Sequence, residues 1–69
     1  MEQALAARQR LALIIEALED LPPIRRAVFR LHKFEGLSHG EVAAQLGISR
    51  SGVEKHVMAA LKHLHARLD

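Results

Sequence analysis

Apolar residues recur at helical spacing along nearly the whole chain of 69 residues, which predicts four helices and no strands. Leu11, Ile14, Ile15 and Leu18 set the apolar face of a first helix over 4–19. Leu13 falls off that stripe, either as an ordinary exposed leucine or as a point where an upstream segment or partner packs. The run Asp20-Leu21-Pro22-Pro23 stops this helix, because the residue before a proline is pushed out of helical geometry, while Pro22 suits the first turn of the next helix. That second helix, over 22–34, places Ile24, Ala27, Val28, Leu31 and Phe34 on one face, with Arg26, Arg30 and Lys33 opposite. Glu35-Gly36 ends it, Gly36 being free to take the left-handed conformation.

The next stretch stops and restarts a helix within about three residues. Ser38-His39-Gly40-Glu41 fits a capping box opening a third helix over 39–46, which presents Val42, Ala43 and Leu46. Gly47 ends it, Ile48 plugs the corner, and Ser49 caps a long fourth helix over 50–68. In that last helix Val53, Val57, Ala60, Leu61, Leu64 and Leu68 share an apolar arc. Ser51, Lys55, Met58, Ala59 and Lys62 lie on the other side, small and basic, with Gly52 also small enough to let a surface approach. Ala43 where two helices cross, Gly47 at the turn and Val53 as the apolar anchor carry the spacing of a helix-turn-helix. The expected fold is an all-α, small four-helix domain over 1–69, with a helix-turn-helix of the winged-helix-like DNA-binding class but no wing. A short helical hairpin built only for packing is the plainer reading of the same turn. A slim basic strip opposite a bulky aliphatic one is the shape of a helix that lies in a major groove.

Composition sharpens this picture. There is no cysteine, Trp or Tyr and only two Phe, so a core of Leu, Ile, Val and Ala must hold the chain together without disulfides. No stretch approaches the length of a membrane span and no export signal opens the chain, which reads as soluble and cytoplasmic, with no membrane insertion. The net charge of +2 is unevenly placed. Residues 1–24 hold four acids against two bases, and residues 25–69 hold eight bases against four acids. The basic share travels with the helix-turn-helix, which points to a polyanion, although a solvated basic face is the simpler account. Phosphate contact is expected of Arg26, Arg30 and Lys33 on the second helix, and Lys55 and Lys62 on the fourth reach bases or phosphates.

Enzymatic chemistry and cofactors are not expected. The five histidines, His32, His39, His56, His63 and His65, include no i, i+4 metal pair and read as scattered surface residues, with His56 a groove-edge or packing residue. There is no Gly-rich phosphate loop, and the carboxylates are dispersed among cations.

The run LPPIRRAVFRLHKFEGLSHGEVAAQLGISRSGVEKHVMAALKHL, residues 21–64, resembles region 4 of the sigma-70 family. It resembles in particular the extracytoplasmic-function group and, through VEKHV, its FecI-like branch, which serves iron-siderophore uptake. The resemblance rests on Leu21-Pro22, Arg26, Val28-Phe29, Gly36-Leu37-Ser38, Val42-Ala43, Leu46-Gly47-Ile48-Ser49 and Val53 with His56. It implies a non-catalytic initiation-factor domain that reads the promoter minus 35 element in double-stranded DNA while docked on the β flap of core RNA polymerase, and that an anti-sigma protein can bind. By the same resemblance Glu54, Lys55, Met58 and Ala59 match base readers, and Arg26, Arg50 and Ser51, with Ser49 beside them, match phosphate contacts. Glu54 and Ala59 depart from the cations often found at those places. Glu54 either accepts from a cytosine amino group or pairs with Arg50 one turn earlier. Nothing resembles region 2, so the chain reads as a C-terminal fragment that binds DNA weakly alone.

The nearest rival is the effector domain of LuxR- or NarL-type response regulators, which share much of the GLS-to-V-x-x-H run. The LPP entry and the acidic helix before it favour sigma. A pure interaction module bound by an anti-sigma protein is the remaining alternative.

Overall fold

The computed structural model describes residues 2–68. Its elements are α1 (Glu2–Glu19), α2 (Pro23–Phe29), a π-helical turn (Arg30–Phe34) that continues α2 without a break, α3 (His39–Leu46) and α4 (Arg50–Leu68). No strand occurs among the described residues, and no helix there is long and apolar enough to cross a membrane.

The chain reverses between α1 and α2 without a long loop. The N–H groups of Asp20 and Leu21 donate to the carbonyls of Ala17 and Leu18, Leu21 is buried, and Pro22 sits extended (φ −55°, ψ 149°) before the helix resumes. A proline there costs no hydrogen bond, because the first turn has no intrahelical acceptor for it.

Two buried clusters organise the molecule, and α4 runs through both. Ala17, Leu18 and Leu21 meet Phe29, Ala60 and Leu64 in one. Val28 and Leu31 meet Val42, Ala43, Val53 and Val57 in the other. Half-buried Leu61 touches both. Val28, Val42 and Val53 are wholly enclosed. Side chains branched at the β carbon have few rotamers to lose on burial, which suits them to this crossing of α2, α3 and α4.

The apolar stripe expected on α1 is displaced. Leu11 and Ile15 are 52% and 48% exposed, whereas Ala17 is fully buried and Leu18 nearly so. Only the last turns of α1 pack on α4, and there two alanines with no exposed surface, Ala17 and Ala60, lie in one cluster, a pairing that lets helices approach closely. Before Ile14 every described side chain of α1 except Ala6 is exposed, Leu5 and Leu13 included. Leu68, placed by its spacing in the inward arc of the last helix, is also exposed, one turn beyond Leu64, the last residue of α4 in a buried cluster.

A second departure lies in α2. Phe34 was expected inside and is 58% exposed, while Phe29 is 5% exposed and fills the cluster with α1. The π turn explains the exchange: five residues rather than four separate stacked neighbours, so side chains at i and i+5 meet. Phe34 stands edge-on to Phe29, with ring centroids 6.0 Å apart, and Glu35 pairs with Arg30. Ile24 is exposed as well. The same turn puts the Glu35 N–H on the Arg30 carbonyl and the Leu37 N–H on that of Leu31, and Gly36 takes φ +75° to leave the helix.

Candidate nucleic-acid interface

The turn between α3 and α4 is held at both ends by local hydrogen bonds. Ser38 Oγ accepts from the Glu41 N–H at 3.1 Å, and Glu41 Oε1 accepts from the Ser38 N–H at 2.9 Å, a reciprocal capping box. The Ser38 N–H and then the Ser38 hydroxyl hold the Glu41 carboxyl below its usual titration range. At the far end Gly47 takes φ +69°, and the N–H groups of Gly47 and Ile48 both donate to the Ala43 carbonyl. Ser49 then accepts the Gly52 N–H on its Oγ at 3.0 Å and opens α4. A Cβ on Gly52 would sit 3.0 Å from that hydroxyl, so the cap itself explains a glycine at this position, which its smallness alone had suggested was for close approach to a surface.

Ala43, Gly47 and Val53 therefore come together as turn and crossing point: Ala43 and Val53 share a buried cluster and Gly47 reverses the chain between them. A larger side chain at Ala43 would push α4 outward.

With Val53, Val57, Ala60 and Leu64 buried, the opposite side of α4 carries exposed Ser51, Lys55, Met58 and Lys62, with Ala59 half-buried beside them. Met58 is 68% exposed. Arg50 and Ser49 are exposed at its start, the Ser49 and Ser51 hydroxyls 3.4 Å apart. A thioether and two lysines on one open strip, with no acid among them, form a surface matched to base edges and phosphates.

The flanks of that strip are occupied. Glu54, the one acid of α4, lies on the α3 side, its Oε1 3.7 Å from Nδ1 of His39. It meets His39 and not Arg50. On the other flank His56 Nδ1 accepts from Nε of Arg25 at 3.3 Å, which leaves the imidazole proton on Nε2. Further along, His63 Nε2 lies 3.1 Å from the Ala17 carbonyl and 3.3 Å from Asp20 Oδ2, and Arg67 Nη1 reaches the same carboxylate at 3.2 Å. His32 Nδ1 donates to the Leu37 carbonyl at 2.7 Å and its ring stacks obliquely on that of His39, centroids 4.4 Å apart. The histidines are thus not scattered over the surface: all but His65 are half-buried and join one element to another. No group of three metal-ligating side chains is placed to hold an ion among the described residues.

The cations of α2 separate in space. Arg26 and Arg30 line a cleft of about 210 Å³ against α1, together with Ile15, Leu18, Glu19 and Phe34. Arg30 is ion-paired to Glu35, and Lys33, on the π turn, is exposed. Arg25 alone among them reaches α4. The sequence marks Arg25 only as one charge among several, because its partner His56 lies 31 positions away and no local pattern joins the two.

These elements define a helix-turn-helix domain with a four-helix frame. Residues 11–64 match Sigma-70, region 4, and the chain belongs to that family. It is 39% identical over 67 residues to the RNA polymerase sigma factor NccH of Alcaligenes xylosoxydans xylosoxydans, a match covering 97% of this chain and 36% of that one. It is 38% identical over 53 residues to the ferric citrate uptake sigma factor FecI of Escherichia coli (strain K12), covering 77% of this chain and 31% of that one. The chain therefore spans about a third of the length of these relatives. No solved structure matches it. The FecI-like resemblance read from residues 21–64 is supported by the second relative.

Proposed function

We propose that this chain is the promoter-reading domain of an alternative RNA polymerase sigma factor of the extracytoplasmic-function group, recognising the minus 35 element and docking on core polymerase. The observation that carries the reading is the open strip of α4, Lys55, Met58 and Lys62, set beyond a left-handed turn at Gly47 in a chain of the sigma-70 region 4 family. In this reading α4 enters the major groove. Lys55, Met58 and Ala59 face base edges, with Glu54 at their side, and Ser49, Arg50, Ser51 and Lys62 take phosphates. Arg26, Arg30 and Lys33 add cationic charge from α2, Arg30 only by exchanging Glu35 for phosphate.

Two names are supported by the relatives: both are called sigma factors, and FecI is named for ferric citrate uptake. The response-regulator reading finds no support in the family match. For the contact with core polymerase, or with an anti-sigma protein competing for it, the apolar cleft between α1 and the π turn and the exposed leucines of α1 offer a surface.

The test is binding of labelled duplex DNA in low salt, followed by selection from random duplexes. Lys55→Glu should lower affinity by ~1 to 3 kcal/mol if it reads a base. Binding that ignores this change would overturn the assignment of α4. A dimer on a two-fold symmetric site would instead favour the response-regulator reading.

A further inference from the structure

We infer that Arg25 is a DNA-backbone clamp that His56 holds beside the open strip of α4, an inference that rests on the DNA-binding reading above. His56 follows Lys55 by one residue and precedes Ala59 by three, so on an α-helix it lies about 100° round from Lys55 and about 60° from Ala59. It marks the edge of the strip nearest α2. Arg25, in the first turn of α2, spends its Nε on His56 Nδ1 at 3.3 Å across 31 positions of sequence. The two terminal nitrogens of its guanidinium have no hydrogen-bond or acidic partner among the described residues. Arg30 is neutralised by Glu35 and Arg67 by Asp20, and Arg26 and Arg50 have no acid partner but no side-chain anchor either, so among the described arginines Arg25 is the one held by a neutral side chain with its charge left over.

A guanidinium fixed through one nitrogen keeps a two-nitrogen edge free, and that edge matches two oxygens of a phosphate. Fixing it beforehand also removes side-chain freedom that phosphate binding would otherwise have to remove. His56 acts here as a positioning residue, because it contacts the clamp and not the duplex. Phosphate contacts carry no sequence information, so Arg25 would set how tightly and in which register α4 lies without altering which bases it prefers.

The experiment compares the 69-residue chain with Arg25→Ala, His56→Ala and His56→Gln, using a labelled random-sequence duplex across a salt series, with circular dichroism melts as a check on folding. Arg25→Ala should weaken binding alike for all sequences and reduce the salt slope by about 1, so that the variant loses about four-fold less affinity than the parent between about 50 and about 200 mM salt. His56→Ala should weaken binding with the slope kept, since the charge remains but is no longer anchored. His56→Gln should restore binding, its amide oxygen replacing Nδ1 as acceptor. An unchanged slope in Arg25→Ala, with the parent still binding, overturns the clamp and leaves the DNA reading standing. A folded parent that binds no duplex at any salt overturns both.

Discussion

Glu54 of α4 faces His39, the first residue of α3, with Oε1 and Nδ1 3.7 Å apart. The one carboxylate on the helix we assign to the groove thus has its neighbour on the preceding helix and not on its own. The arrangement leaves the acid more than half exposed, so it is restrained without being removed from the edge of the strip.

Glu54→Gln should strengthen binding to random duplex by under ~1 kcal/mol, because an exposed charge near phosphates is heavily screened. His39→Gln should leave overall affinity nearly unchanged and shift the base preferred at one position. Parallel selections with the parent and both variants read this directly, and identical selected sequences would refute a role for the pair in specificity.

The left-handed turn makes a separate prediction. Gly47 has φ +69°, and an added Cβ would meet no atom within 4 Å. The cost of Gly47→Ala is therefore backbone strain alone, about 1 to 2 kcal/mol. Denaturant unfolding should show it as a lower midpoint with the same slope.

At the other end of α3, Ser38→Ala removes the hydroxyl that accepts the Glu41 N–H, keeps the backbone N–H that donates to Glu41 Oε1, and should cost about 1 kcal/mol. The Glu41 carboxyl is held below its usual range in the folded chain, chiefly by the Ser38 N–H. Its contribution is therefore fully present above the unfolded carboxylate range and is lost as pH falls through the lowered folded value. Unfolding curves measured from neutrality into acid should lose this component in Glu41→Gln; an acid limb identical to the parent's would contradict it.

The cleft against α1 offers a way to separate two partners. Ile15→Asp and Phe34→Asp alter exposed apolar side chains of that cleft, so folding should survive. We expect duplex binding to be kept while retention on immobilised core RNA polymerase falls by about ten-fold, corresponding to ~1.4 kcal/mol. Equal retention would move the polymerase contact elsewhere on the surface.

The helices and the turn between α3 and α4 were legible because their signals are local. Ser38 with Glu41, Gly36 and Gly47 each act on backbone atoms within a few residues, and the chain there needs no distant partner to decide its path. The exposure of Lys55 and Met58 followed from the same periodicity that buries Val53 and Val57. What was not legible depended on distance or on helix type. Periodicity marks Leu11 and Ile15 as a face but cannot say that no helix covers them. The α-helical count put Phe34 inside because nothing in RLHKF announces a π turn. The pairings Arg25 with His56 and His39 with Glu54 join residues 31 and 15 positions apart, and no local pattern brings them together.

The π turn over Arg30–Phe34 gives α2 a surplus residue that an unbroken α-helix would not need. Within that wide turn the extra residue is taken up locally, so losing it would return the turn to α geometry and leave Leu37, the cap at Ser38 and the heading of α4 in place. A deletion in a regular stretch of α2 would instead swing everything after it by about 100°. The segment is thus the one stretch of α2 that can shed a residue without changing the aim of α4.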